Sequence, residues 1–234
     1  MKNLCTICMR EGSKGVPNKN LRELNGKPLM AYTIKQALQS DLFEHVVIST
    51  DSEKIAETAK IFGAKVWFLR PSELALDEVP KLPVIRHAFQ ESENHFGYTF
   101  DVLVDLDVTS PLRKVEDITG SYQQFVDEDA DILITACPAK KNPYFNMVEL
   151  VNDKVQLIKQ LDTFPQFRQN APQVFDCNAS IYIWKRDSLL KYDTLFVEKT
   201  SLYIMPEERS VDIDTQLNWN FVEYMFNKST DIND

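Results

Sequence analysis

Short runs of β-branched and apolar residues alternate along this chain with amphipathic stretches of helical period, the pattern of βαβ units that feed a largely parallel sheet. Leu4–Met9 reads as the first strand, followed by a polar, glycine-containing loop, Arg10–Asn20. Leu29–Gln39 reads as a helix with Pro28 at its start, where a missing N–H does no harm. His45–Thr50 is the second strand, and Ser52–Phe62 a helix capped by its serine and stopped at Gly63. A third strand is expected at Lys65–Leu69, a helix from Leu82 to Phe96, and a central strand at Phe100–Leu106 whose apolar core marks burial on both faces. Helix Val115–Val126 and strand Asp131–Cys137 complete the series.

After Pro138 the rhythm changes. Phe145–Val151 and Val155–Ile158 pair as a hairpin across Asn152-Asp153, a turn-forming dipeptide. Asp162–Gln173 has too little periodicity to assign; Cys177–Trp184 resumes as a strand and Leu217–Phe226 is the last helix, ahead of a polar tail expected to fray. The excursion at 140–184 is rich in aromatics (Tyr144, Phe145, Phe164, Phe167, Phe175) and is a candidate dimer surface; a local core under a loop would read the same way.

Length adds that one core suffices: 234 residues form one α/β domain, 1–234, with the antiparallel excursion inside it. No apolar run approaches the 18 or so residues of a membrane span, and Leu4–Met9 is too short for a signal-peptide core, so a cytoplasmic protein is expected. Four scattered cysteines are expected as free thiols, and Cys5-x-x-Cys8 lies in a strand that points the two side chains to opposite faces. His45, His87 and His95 match no metal spacing or triad. The net charge of −9 excludes general binding to nucleic acid or an anionic membrane. Yet residues 1–27 carry six basic side chains against two acidic ones, which implies a local anion site.

That site is the loop Arg10-Glu-Gly12-Ser13-Lys14-Gly15-Val-Pro-Asn-Lys19-Asn20. Its glycines let backbone N–H groups approach an anion, and its cations and serine supply what a triphosphate requires. It is not a Walker A loop, since no G-x-x-x-x-G-K-[ST] pattern fits. It follows a parallel strand, where ligands of open α/β sheets bind. Near the other end, Asp212-Ile-Asp214 places two carboxylates on one face of an extended segment, able to grip a hard cation such as Mg²⁺. A second pair, Asp105 and Asp107, closes the central strand ahead of Thr109-Ser110-Pro111-Leu112-Arg113, which turns the chain and offers hydroxyls and a guanidinium to a polyhydroxylated acid.

Taken together these blocks resemble the acylneuraminate cytidylyltransferases, or CMP-sialic acid synthetases. Further matches are Gly26-Lys27-Pro28-Leu29, Ser49-Thr50-Asp51, Leu69-Arg70-Pro71 with Glu73-Leu74-Ala75, Arg168-Gln169 with Pro172, and Asn178 through Ile181-Tyr182, so the resemblance covers nearly the whole chain. It implies a Rossmann-like, mostly parallel sheet related to nucleotide-diphospho-sugar transferases, and a homodimer built on the excursion. It implies CTP held by Arg10, Gly12, Ser13, Lys14, Gly15, Lys19, Asn20 and Arg70, with Arg10, Lys19 and Asp214 at the chemistry. Mg²⁺ would sit on Asp212 and Asp214, with Asp107 a further candidate ligand, and the sugar acid near Asp107, Thr109, Ser110, Arg168, Gln169 and Asn178. The reaction it implies is in-line attack of the anomeric hydroxyl on the α-phosphorus of CTP, releasing pyrophosphate.

Three positions depart from the family pattern. Asp107 stands where the family has a glutamine, Pro80-Lys81 replaces a serine-bearing stretch near the base pocket, and Ala179 replaces a glycine. An acceptor-only, charged side chain at 107 sits poorly beside a sugar carboxylate unless a cation intervenes. The departures favour a legionaminic- or pseudaminic-type acid over N-acetylneuraminate. Other readings are a cytidylyltransferase for 3-deoxy-manno-octulosonate, a glycosyltransferase using the same D-x-D, and a catalytically silent nucleotide-binding homologue.

Overall fold

A computed structural model of the chain describes residues 1–163 and 165–228. Phe164 and the polar tail expected to fray lie outside the described residues. The elements run β1 (Asn3–Cys8), a small hairpin of β2 (Glu23–Leu24) and β3 (Lys27–Pro28), α1 (Leu29–Gln39), β4 (His45–Ser49), α2 (Glu53–Ile61), α3 (Lys81–Phe96), β5 (Val102–Leu106) and α4 (Val115–Asp127). They continue with β6 (Ile132–Pro138), β7 (Val148–Val151), β8 (Lys154–Leu157), β9 (Phe175–Lys185), α5 (Arg186–Lys191), β10 (Thr200–Ile204) and α6 (Gln216–Lys228).

Six strands form the central sheet in the order β10-β6-β9-β5-β1-β4. All neighbours pair in parallel except at β9, which runs against both β5 and β6, so the sheet is mostly parallel with one reversed strand inside it. Apolar side chains bury both faces. Ile7, Ile48, Val104, Leu106 and Ile183 pack towards α1 and α4, while Leu4, Val47, Leu103, Ile132 and Trp184 pack with Ile85 and Phe89 of α3. Double-sided burial explains why these strands read as continuous apolar runs.

The strand expected at Lys65–Leu69 does not form. Lys65 makes a lone parallel bridge to Val47, after which the chain leaves the sheet edge. Trp67 then stacks on His95 at 4.6 Å and Phe68 meets His87 edge-on at 5.4 Å, so both aromatics are seated on α3 rather than spent in a strand. The sheet instead gains β10, parallel to β6, from a segment without strong alternation. The cysteines are free, as expected. Among the described residues no helix is long and apolar enough to cross a membrane.

One correction bears on the site. Arg113, read as a guanidinium offered to a ligand, is only 1% exposed. It donates to the carbonyls of Ser180 at 2.6 Å and Asp107 at 3.2 Å, to the Thr33 hydroxyl at 3.1 Å and to Gln36 Oε1 at 3.2 Å. It thus ties the end of β5 to β9 and α1. A buried cation is retained where carbonyls replace its water.

Candidate active site

The carboxyl ends of β1, β4 and β5 open on one side of the sheet, and the basic loop follows β1 there. The loop is shaped from inside. Asn20, 5% exposed, donates to the carbonyl of Arg10 at 2.8 Å, and Asn18 turns the chain with a positive φ of 53°. Gly15 lies against the backbone of Asp214, close enough that a Cβ would stand 1.8 Å from that carbonyl oxygen. Lys19 crosses the same gap, donating to the Ile213 carbonyl, with its ammonium 3.8 Å from Asp214 Oδ1. The two ends of the sequence are thereby brought together.

They enclose a cavity of about 310 Å³ lined by Arg10, Ser13, Lys14, Gly15, Lys19, Asn20, Asp107, Thr109 and Asp214. A neighbouring cavity of about 240 Å³ shares Cys8, Met9, Arg10 and Asp107 with it. This second hollow is lined further by Arg70, Asp77 and Lys81 and by the apolar Leu74, Leu76, Val79 and Val84. Arg70 is buried, donating to Ser49 Oγ at 3.1 Å and to the carbonyls of Ser49 and Met9, so it joins the ends of β1 and β4 and presents little free charge.

The electrostatics of the two aspartate pairs differ. Lys81 Nζ lies 2.8 Å from Asp105 Oδ2 and 2.8 Å from Asp107 Oδ2. Asp107 Oδ1 accepts the Thr109 N–H at 3.2 Å and its hydroxyl at 2.9 Å. Burial would raise the Asp107 carboxyl, but Lys81 and Thr109 outweigh it and hold it at about 2. Among the described residues Asp212 has no cation at such a distance. Its Oδ1 is buried without a hydrogen-bond partner, and burial, together with the charges of Asp107 and Asp214, pushes its carboxyl up to about 6 against the pull of the Thr109 hydroxyl and Lys19. A carboxylate short of positive charge, beside an exposed second one, fits a divalent cation. Among the described residues no three His, Cys, Asp or Glu side chains gather into a metal cage. Mg²⁺ does not need one, because it keeps waters and takes substrate phosphate oxygens beside one or two carboxylates.

Of the other candidates, Ser110 is fully buried behind the turn. Asn178 is 6% exposed, accepting from the Thr135 hydroxyl at 2.7 Å and donating to Ser210 Oγ at 2.9 Å. Arg168 and Gln169 line a separate hollow of about 410 Å³ with Pro138, Asn142 and Pro172, and Arg168 donates to the Ala139 carbonyl at 2.7 Å. Gly12 faces open space. Sequence reasoning missed Asp77, which ion-pairs with both Arg10 and Lys14. Its one signal is its place two residues after the Glu73-Leu74-Ala75 block.

The sequence profile of the family described as Cytidylyltransferase matches residues 4–223. The CMP-N,N'-diacetyllegionaminic acid synthase of Campylobacter jejuni is 50% identical over 222 residues, 95% of this chain and 94% of that protein. The post-translational flagellin modification protein B of Campylobacter coli is 47% identical over the same shares of the two chains. Among solved structures, a CMP:2-keto-3-deoxy-manno-octonic acid synthetase complexed with CTP superposes with a TM-score of 0.71, covering 97% of this chain and 99% of that one at 16% identity. That likeness is one of fold.

Proposed function

The chain belongs to the cytidylyltransferase family, and from that premise we propose that it joins CMP, taken from CTP, to a nine-carbon acidic sugar of the nonulosonic type, releasing pyrophosphate. Among such acids the legionaminic type is favoured by the 50% identity to a synthase of that specificity. The observation that carries the reading is the contact of the basic loop with the Asp212–Asp214 segment through Gly15 and Lys19, which sets cations and carboxylates around one cavity.

In this reading the apolar-walled hollow takes the base and the basic cavity the triphosphate. Arg10, Lys14, Lys19 and the Ser13 hydroxyl hold the phosphates and meet the charge that gathers on the leaving pyrophosphate. Mg²⁺ held by Asp212 and Asp214 would draw in phosphate oxygens and offset their charge. Thr109 and Asp107 line the same cavity, and the sugar hydroxyl would attack the α-phosphorus in line. Most of the acceleration then comes from holding the two substrates in a reactive pose.

We further propose a homodimer built on the β7–β8 hairpin. Its register pairs Val148 with Leu157 and Leu150 with Val155, so four apolar side chains share one face, and Val148, Leu150 and Val155 are 59%, 73% and 69% exposed. A two-stranded hairpin is marginal without cover, which a second copy would supply. Arg168 and Gln169 line a hollow separate from the cleft, and in this dimer they are assigned to the sugar site of the partner protomer. Free thiols and a CTP substrate fit the cytoplasm.

The test is pyrophosphate release with CTP and Mg²⁺ against a panel of neuraminic, legionaminic and pseudaminic acids, with 3-deoxy-manno-octulosonate and the other nucleoside triphosphates as controls. Turnover confined to CTP and a nine-carbon acid is expected. Turnover with the eight-carbon acid, or CTP binding without any turnover, would replace this reading by one of its alternatives. Sedimentation of the wild type and of Leu150→Lys tests the dimer.

A further inference from the structure

We infer that the Lys81 ammonium takes the place of a divalent cation between Asp105 and Asp107, so that Asp107 is not a metal ligand and metal binding is confined to the Asp212–Asp214 segment. Asp105 and Asp107 stand two apart at the end of β5, so their carboxylates share a face. Two carboxylates this close resist being ionised together unless a cation lies between them. Lys81 Nζ, 2.8 Å from an oxygen of each, is that cation. Asp105 is fully buried, and its other oxygen accepts from the Thr6 hydroxyl at 2.8 Å. Asp107 has one oxygen on Lys81 and the other on Thr109, which leaves its carboxylate occupied.

The position of Lys81 in the chain supports the assignment. It is the first residue of α3, where the partial positive charge of the helix end disfavours an ammonium, so helix stability does not account for a lysine there. Burial alone would lower its pKa, yet Asp105 and Asp107 hold it well above the ordinary lysine range, so it stays charged. By contrast, among the described residues the lysine nearest Asp212 and Asp214 is the more distant Lys19, 3.8 Å from Asp214; Asp105 Oδ2 and Asp212 Oδ1 both lack a hydrogen-bond donor, but Asp105 Oδ2 has the Lys81 ammonium at 2.8 Å. Of these two aspartate pairs, one holds its cation at 2.8 Å from both carboxylates and the other has a lysine only at 3.8 Å from one of them. The substitution of aspartate at 107 and the lysine at 81 are two halves of one device, which lets a carboxylate stand beside an anionic sugar.

The inference rests on the proposed magnesium site only for the ion at Asp212–Asp214, and direct Mn²⁺ binding separates the two. Free Mn²⁺ is titrated by electron paramagnetic resonance with the wild type, Lys81→Ala and Lys81→Ala/Asp107→Asn, and melting is followed with and without Mn²⁺. Lys81→Ala is expected to bind one more ion than the wild type, or to need Mn²⁺ to fold, and the added Asp107→Asn to lose that gain. A folded Lys81→Ala that binds no further ion overturns the inference, as does a variant that stays unfolded with Mn²⁺ present. A wild type that binds no Mn²⁺ while Lys81→Ala binds one would leave the inference standing and remove the magnesium reading instead.

Discussion

Gly15 is packed against Asp214 so closely that a methyl group on its Cα would overlap the Asp214 carbonyl oxygen, at 1.8 Å. The obstacle is backbone, so it yields only if the basic loop or the Asp212–Asp214 segment shifts. Gly15→Ala is therefore expected to lower kcat/KM by roughly 100-fold, the scale of a misplacement of about 1 Å in a reacting site. Gly12, whose added methyl meets nothing within 4 Å, is the control. Gly12→Ala should lose less than Gly15→Ala, since its methyl group forces no shift of the protein backbone. Steady-state pyrophosphate release on both variants checks the contrast.

Asp77 sets an anion of the protein's own in the basic loop, paired to both Arg10 and Lys14, the side chains proposed above to hold the triphosphate. In the proposed reading, binding of CTP draws Arg10 and Lys14 away from Asp77. Asp77→Asn removes the competing charge and keeps the shape, so pyrophosphate and CTP should bind more tightly, by roughly two- to fivefold for exposed pairs. Calorimetric titration with pyrophosphate reads this without turnover. Weaker binding in the variant would mean that Asp77 positions the two cations rather than competing for them.

What could be read from the chain follows from where periodicity and chemistry are local. Strands buried on both faces announce themselves by composition, which is why β1, β4 and β5 were legible with the loop after β1. The reversal of β9 was not, because direction in a sheet is set by the path of the preceding excursion and leaves no mark on Phe175–Lys185 itself. Trp67 and Phe68 look like strand residues and are drawn off by His95 and His87 on α3, a tertiary contact that no local pattern contains. Arg10, Lys14, Lys19 and Asp214, which line one cavity, were singled out by their residue types. The partnership of Lys81 with Asp105 and Asp107 joins positions more than twenty residues apart, so the sequence displayed the two departures and not their connection.

Ala179 is the third such departure, and its cost is visible in the backbone. It has φ of 54°, a left-handed conformation that a Cβ disfavours, next to the irregular pairing between β6 and β9. The strain is of the order of 1 kcal/mol, partly offset in the glycine variant by greater freedom of the unfolded chain. Ala179→Gly should therefore stabilise the protein by roughly 0.5 kcal/mol in urea unfolding. Destabilisation would show that the methyl group makes a packing contact worth more than the strain.

Asp212 gives the pH dependence its sign. Its carboxyl is raised from 3.8 to about 6, chiefly by burial and then by Asp107 and Asp214, so the folded protein holds that proton more tightly than the unfolded chain does. The metal-free fold consequently loses stability as pH rises from the unfolded value through about 6, and the loss is complete above it. After allowance for solvent around a partly exposed group, the effect is roughly 1–2 kcal/mol. Asp212→Asn cannot ionise. Without metal it should melt roughly 3–6 °C above the wild type at pH 8 and level with it at pH 4, where both side chains are neutral. Adding Mg²⁺ at pH 8 should reverse the order, because the ion stabilises the folded wild type by mass action and finds one carboxylate fewer in the variant. Scanning calorimetry at the two pH values, with and without Mg²⁺, reads all four states. A variant that melts below the wild type at pH 8 without metal would mean that the Asp212 carboxylate already has a cation, and Lys19 would have to be it.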